Sequence, residues 1–574
     1  MTVLGAHYFC QRGSVRDTCE HEPVAAQYDG VGFPIWAFYF FFISALIKLW
    51  LAGGQSIYAI GWAGHDDRLF LNLANKFLTN GWLGHYSHLT LIKGPFYPFW
   101  IALTFFLGVP LLLSQHIFYI AACAIFVLAV RPFFAKQALL LVVWCVLLYN
   151  PMSYSDQVMT RVIREGIYPA LTILVAALAV GLLARHDLPL RRLRVWSAGL
   201  GVALAAFWLT REEGAWIIPS ILMITGLTAV KIFRTKPVDR RRLLVACALP
   251  FCIWAIILGT VAGINKAAYG VFATVEVKSR DFLDAYGALS RVRHEHWQRF
   301  VPVPKEVRER TYKVSSAFAE LKPFLEGGIG DGWTSASCGA VSVCNDIGGG
   351  WFMWAFRDCV AAAGYHSSGS SASHYYRRLA REVNAACTNQ SLDCGAERSS
   401  LMPPWRSEYT MPIFITMAKA GVSLVRFDGF WPHPTSSEGP EDQLLLFRDL
   451  TRDRLSSSTA AGLFPKQSKF DAMKITVLAY IGKIYQIAGP FAVSLALIIY
   501  LIGTVRSIRK RAVTELWMIS TALLVAIFVR TFILSMIQVT SFPAINPVYA
   551  APAYPLLLLF VSLSFAGCRM YLKP

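Results

Sequence analysis

The sequence predicts a mainly α, polytopic membrane protein of about 10–11 transmembrane helices, with an extracytoplasmic domain, mainly α or α+β, inserted between them. Three observations predict it. Hydrophobic residues make up 55% of the chain and charged residues only 16%, and the mean hydropathy is +0.46, a balance unusual for a soluble protein. Apolar runs near bilayer length recur at 34–51, 114–130, 137–150, 167–184, 195–210, 215–232, 243–263, 474–503, 514–537 and 549–567. The formal net charge of +19 sits in short clusters between those runs, at 185–194, 231–242 and 506–511, which is the positive-inside pattern and excludes a nucleic-acid surface.

The first run follows a polar segment, 1–33, that carries Arg12, Arg16, Asp17, Glu20 and Glu22. No small-residue cleavage site follows the run, so it is expected to remain as an anchor behind a cytoplasmic N-terminal segment. With the basic clusters inside, the hairpin at 210–214, the loop at 161–166, the pair Asp66 and Asp67, and a polar island over 264–473 all fall outside. Alternation of sides requires 96–130 to cross once, so 96–113, broken by Gly108 and Pro110, is expected at the interface or as a re-entrant segment. The expected division is therefore 1–33, a transmembrane module over 34–263 with an outer loop at 52–113, the soluble domain 264–473, and terminal spans over 474–574.

Within the outer loop, Leu69, Phe70, Leu73, Ala74, Phe77 and Leu78 recur at helical spacing, with Asn72, Asn75 and Lys76 opposite and Asn80-Gly81 as a stop. This predicts a short amphipathic helix on the outer surface. The island is the size of one soluble domain, its first part reading as charged helices and its second as rich in Gly, Ser and Trp. Of its five cysteines, Cys338 with Cys344 and Cys387 with Cys394 are the nearest pairs for disulfides in an oxidising compartment, leaving Cys359 over. Proximity in sequence does not fix that connectivity. Cys123, Cys145, Cys247 and Cys252 lie in apolar runs and read as core residues.

Several charged groups approach the membrane from the outer side. Asp66 and Asp67, at the mouth of a span, must be solvated, paired or used, and one of them is placed to cap the amphipathic helix. Arg161 and Arg164, three apart, share a face if helical, with Glu165 four from Arg161. Two such guanidinium groups suit a phosphate, or else anchor a salt-bridged loop at the headgroups. Arg211, Glu212 and Glu213 crowd a tight hairpin that is otherwise a capped turn. Lys93 reads as a snorkelling anchor or a phosphate ligand, and Lys474 and Lys483 as snorkelling residues. Arg530 lies in an apolar run seven residues before Ile537, about 10 Å below its outer end, and must face a cavity or a partner. His65, His85 and His88, with Asp66 or Asp67, offer ligands for a divalent metal in a spacing that matches no specific pattern. P-loop, dinucleotide, HExxH and paired CxxC motifs are absent from the sequence.

The order of these features, an apolar span, an outer loop with Gly64-His65-Asp66-Asp67, an interfacial helix, Lys93-Gly94-Pro95-Phe96-Tyr97-Pro98 and a train of spans, resembles the glycosyltransferase C superfamily. Its members include protein O-mannosyltransferases, lipid A aminoarabinose transferases and oligosaccharyltransferases. The likeness is clearest over 34–265, and the chain departs from the better-known members in carrying its soluble domain between spans. The resemblance implies a multi-pass enzyme of the bacterial inner membrane that moves a sugar from a polyprenyl-phosphate carrier to a cell-envelope glycan, lipid or protein, inverting the anomeric centre. It implies Asp66 or Asp67 as general base, Arg161, Arg164, Arg211, Arg530 and Lys93 as phosphate ligands, and Glu212, Glu213, Glu165 and His65 in acceptor or auxiliary roles. An apolar groove would hold the prenyl tail, and a divalent metal is the one cofactor the residues suggest. The rivals are a transporter or flippase of a lipid-linked or anionic substrate, and a silent scaffold; no paired halves with matching broken segments support the first.

Overall fold

The computed structural model describes residues 33–134, 136–234, 239–456, 468–510 and 514–572. The expected N-terminal segment, but for Phe33, lies outside the described residues. The chain is a multi-pass helical membrane protein. Among the described residues, seven helices are long and apolar enough to cross a membrane. In chain order the first part builds α1 (Ile35–Ala52), α2 (Asp67–Asn80), α3 (Phe96–Phe106), α4 (Leu111–Val130), α5 (Gln137–Leu148), α6 (Tyr168–Ala184), α7 (Leu190–Thr210), α8 (Ile218–Arg234), α9 (Arg240–Cys247) and α10 (Leu249–Tyr269). The last part builds α18 (Lys469–Lys510), α19 (Glu515–Thr540) and α20 (Ala553–Leu572). Between them lie α11 (Arg280–Ser290), α12 (Lys305–Tyr312), α13 (Gly328–Val341), α14 (Gly349–Ala362), α15 (Gly369–Thr388), α16 (Thr410–Val425) and α17 (Glu441–Thr451).

The expected spans match these helices to within a few residues, except that α7 starts at Leu190, inside the basic cluster, α18 is 42 residues long, and the span expected over 243–263 is α10, six residues later at both ends, preceded by the separate α9. α3 has only 11 residues, a rise of about 16 Å, too short to cross about 30 Å of hydrocarbon. It stops at Gly108, whose φ of +71 suits glycine, and Pro110 then starts α4 without a side-chain cap of its own. The missing acceptor comes from far along the chain: Leu112 N–H donates to Asp453 Oδ2 at 2.8 Å. Burial outweighs the help of that bond and pushes the Asp453 carboxyl up to about 7.

The two ends of the bundle differ in chemistry. At one end the basic loops contact each other: Arg185 donates to Leu128 O at 2.7 Å, Arg242 to Leu188 O at 2.7 Å, and Lys231 pairs with Glu515. At the other end lie the loops after α1, α5, α7 and α19 and the polar island.

Two hydrophobic cores meet at α2. Its Phe70, Leu71 and Ala74 belong to the core of the spans, whereas Leu69 and Leu73 belong to a second core with Phe282 and Tyr286 of α11, Phe352 and Phe356 of α14, and Tyr376 of α15. The helix expected to lie on the outer surface is instead held between two proteinaceous layers. Its apolar stripe is split over two faces, which a single amphipathic pattern does not reveal.

The side chains of the island pack in two places. Residues from about 269 to 401 form most of the second core, as helices joined by loops; among the described residues β structure is limited to isolated bridges, so the α+β alternative falls away. The remainder turns back to the spans. Ile413 of α16 packs with Val539, and Leu424, Phe427, Leu444 and Phe447 join the core of the spans. Disulfides join Cys338 to Cys344 and Cys387 to Cys394, and Cys359 is buried and free. With the basic end inside, an impermeant maleimide applied to intact cells should label Gly332→Cys, an open position on α13, above the wild-type background, and label Arg191→Cys only after permeabilisation. The reverse pattern would invert the topology.

Candidate active site

Lys93 reaches the end of the bundle on a chain that only glycine allows. A Cβ on Gly94 would lie 1.9 Å from the backbone oxygen of Leu209, so the strand of chain before α3 passes directly against the end of α7. This fixes Lys93, nearly buried and 4.9 Å from the Phe70 ring centre, where its ammonium pairs with Asp66.

Asp66 and Asp67 open α2, yet neither caps it in the expected way. Asp66 stands at the N-cap position without a side-chain cap bond, its carboxylate turned to Lys93. Its side chain is 57% exposed, whereas that of Asp67 is 0% exposed and gripped by Arg161 through Nε at 2.9 Å and Nη2 at 2.7 Å. Pairing with cations displaces capping for both.

Arg161 and Arg164 do not share a helical face, contrary to the expectation from their spacing. The turn Asp156–Thr160 winds wide and Arg161 is extended, with Tyr58 N–H bonded to Thr160 O at 3.2 Å. That link to the segment after α1 points Arg161 at Asp67. Arg164, in the short turn Arg164–Gly166, donates to Glu212 Oε2 at 2.6 Å. Glu165 passes over Arg161 and pairs with Arg211 instead. Arg211 also donates to Glu213 at 3.1 Å and lies 5.1 Å from the Tyr549 ring centre and 5.7 Å from that of Tyr168.

Arg530 completes the chain of charges. It is wholly buried, donates to Tyr549 O at 2.8 and 3.2 Å, and stands 3.5 Å from Glu213. Because α19 continues to Thr540, ten residues beyond it, Arg530 lies about 15 Å from the helix end, deeper than the 10 Å expected. A cavity of about 220 Å³ opens beside it, lined by Leu424, Leu534, Ile545, Ala553 and Tyr554.

The structure therefore brings together Asp66, Asp67, Lys93, Arg161, Arg164, Glu165, Arg211, Glu212, Glu213 and Arg530, five carboxylates and five cations in four ion-paired groups that act on one another through their charges. The alternative of headgroup anchors does not describe arginines at this depth, since Arg211 and Arg530 are both 0% exposed. Burial alone would raise Asp66, but Lys93, and beyond it Arg161 and Arg164, outweigh this and hold its carboxyl below the usual range. In the same way Arg211, Arg530, Arg164 and Lys278 overcome burial and push Glu213 down to about 2. Of the five carboxylates, Asp66 is the most open.

His65 joins a different group. Its Nε2 lies 3.6 Å from Asp358 Oδ2, and His88 Nε2 lies 3.3 Å from Asp358 Oδ1. Trp333 donates to Asp358 at 2.9 Å, and the Trp333 and Trp354 rings flank His65 at 5.0 and 4.9 Å. One ligand atom from each of the three residues lies within 4.8 Å of the others, and His65 Nε2 and Asp358 Oδ1 are buried without a hydrogen-bond partner. Two imidazoles and a carboxylate with an open fourth position suit zinc or a similar divalent ion. The expected set of His65, His85 and His88 with Asp66 or Asp67 is thus corrected: Asp358, 270 residues beyond His88, replaces His85 and the acidic pair. Only its place within the apolar stretch Trp351 to Cys359 marks Asp358 in the sequence. The loop bearing His88 is held by Arg357, which is buried, bonds His88 O and pairs with Glu276 at 2.7 Å.

Two measurements test this geometry. Arg211→Met strands Glu165 in a buried setting and leaves Glu213 with Arg530 alone, and should destabilise the protein by about 3–5 kcal/mol, read as a lowered unfolding midpoint in detergent. Purified wild-type protein should hold about one zinc per chain by elemental analysis. His88→Ala and Asp358→Asn should each lose that metal.

No family model matches the chain, and no curated protein does. Two solved structures resemble it. They are ArnT from Cupriavidus metallidurans in the apo state, at 14% identity over 82% of this chain and 80% of that one with a TM-score of 0.33, and the same protein bound to undecaprenyl phosphate, at 13% identity over 93% and 78% with a TM-score of 0.33.

Proposed function

We propose that the protein is an integral membrane glycosyltransferase that passes a sugar from a polyprenyl-phosphate carrier to an acceptor on the extracytoplasmic face. The observation that carries this reading is Asp66: an open carboxylate, paired with a buried lysine, at the edge of a cluster of arginines whose far member, Arg530, lines a largely apolar cavity. The extracytoplasmic side follows from the basic loops at the other end of the bundle.

The reaction asks little acid chemistry of the protein, because a lipid phosphate leaves as an anion. An acceptor hydroxyl attacks the anomeric carbon, its proton goes to Asp66, and the bond to the phosphate oxygen breaks with its electron pair on the phosphate. Lys93 and Arg164 receive that charge, and attack from the face opposite the leaving group inverts the centre. Asp67 holds Arg161 in place and does not take the proton, since both its oxygens are occupied.

The Lys93 pair gives Asp66 a second state. In the free protein Lys93 keeps Asp66 ionised and weakly basic. A donor phosphate drawing Lys93 away releases the carboxylate, whose basicity then rises toward that of a buried acid. The acid limb of kcat/KM, which reports the free enzyme, should therefore fall below the ordinary aspartate value of about 3.9, and the limb of kcat should lie above that of kcat/KM.

With labelled polyprenyl-phosphate sugar and membranes matched for protein level, Asp66→Asn should lower transfer by about 10²–10⁴-fold. Asp67→Asn should lower the unfolding midpoint as well as activity. Full transfer by Asp66→Asn would overturn the base assignment, and label that crosses the bilayer without reaching an acceptor would favour the transporter.

A further inference from the structure

A second, larger cavity lies away from the charge network, where the outer helical unit meets the end of α19. Its volume is about 570 Å³, within the roughly 300–1,000 Å³ of small-molecule sites. Thr540 lines it, together with residues that follow α11 and those that lead into α16.

The lining, which also includes Glu397, combines two features. The first is positive charge with little pairing, least of all at Arg291. Arg291 is 8% exposed, and among the described residues its side chain has no hydrogen bond and no ion pair. Arg398 donates to Met402 O but has no carboxylate partner, and its Nε is buried without an acceptor. Arg406 reaches the exposed Glu408 at 3.2 Å, and its Nε too is buried and unpartnered. Buried guanidinium groups normally find partners, because an unmet charged donor is costly to desolvate. The second feature is aromatic surface. Trp297 and Trp405 are 42% and 60% exposed, Tyr409 lies 6.3 and 6.2 Å from them between ring centres, and Arg406 stacks on Trp297 at 4.8 Å.

We infer that this cavity binds a saccharide carrying a phosphate or carboxylate group. Guanidinium forks at Arg291 and Arg398 bind the anion, and the indole faces of Trp297 and Trp405 pack on the apolar face of a sugar ring. A neutral sugar leaves Arg291 unpaired, and a bare anion leaves the aromatic faces uncovered. That the ligand is the acceptor of sugar transfer rests on the function proposed above; that it binds does not. The place fits that role: α19, whose Arg530 sits beside the apolar cavity, ends at the wall of this one.

The test is a titration of tryptophan fluorescence in the full-length protein in nanodiscs, carrying Asp66→Asn so that no turnover intervenes. Glucose 6-phosphate and glucuronic acid should give saturable changes, with glucose and inorganic phosphate at least about tenfold weaker. Arg291→Gln should weaken both anionic sugars by about tenfold or more with an unchanged unfolding midpoint. If Arg291→Gln does not fold, Arg398→Gln and Trp405→Ala carry the same expectation. Inorganic phosphate binding as tightly as the sugar phosphate, no binding of either anionic sugar, or affinities unmoved by these variants would each overturn the proposal. Since Asp66 is already replaced, these outcomes are separate from any failure of the transferase reading.

Discussion

Five cations and five carboxylates gathered at the end of a helical bundle, most of them buried, constrain everything around them. A single buried ion without its partner is costly, so each guanidinium must be met by a carboxylate delivered from another segment: Arg161 by the loop after α1, Arg164 by the α7–α8 hairpin, Arg211 by the loop before α6, and Arg530 again by the hairpin. The network thereby ties α2, α6, α7, α8 and α19 at one level. A network this compensated has little net charge of its own, and its compensation is least complete toward solvent at the Asp66 carboxylate.

The backbone around the network is irregular because the side chains need it so. The wide turn Asp156–Thr160, the extended Arg161, and single bridges of Ile57 with Leu455 and Tyr58 with Arg161 replace regular helix where the chain must aim side chains inward. Such backbone is tolerable near a membrane only where protein covers it, and Tyr58, Val158 and Thr160 are all buried.

Much of this was legible in the sequence. Hydropathy and basic clusters were enough to locate the membrane helices and the side on which the charges gather, because both signals are local and strong. Topology alone put Asp66, Arg164, Glu212 and Arg530 on one side of the membrane; that they meet, with Lys93 among them, was not legible. Pairing was not legible: the spacing of Arg161, Arg164 and Glu165 speaks for one helix face, and the turn that breaks that helix is stabilised by Tyr58, a hundred residues away. Nor did the sequence choose between Asp66 and Asp67, since adjacent carboxylates differ only in what the fold places before them. Asp358 and Arg291 were invisible for the same reason: each is an ordinary charged residue of a helical unit until long-range packing sets it beside His65 or leaves it unpaired in a cavity.

The division of α2 between two cores bears on how such a protein can change. Leu69 and Leu73 are 3% and 1% exposed only because the helices of 269–401 lie over them. Without that unit the membrane part would present both leucines to water, at roughly 2 kcal/mol each, on the very helix that begins with the acidic pair. The inserted unit and the bundle are therefore coupled in packing: removing or shifting one exposes or moves the helix that Asp66 precedes.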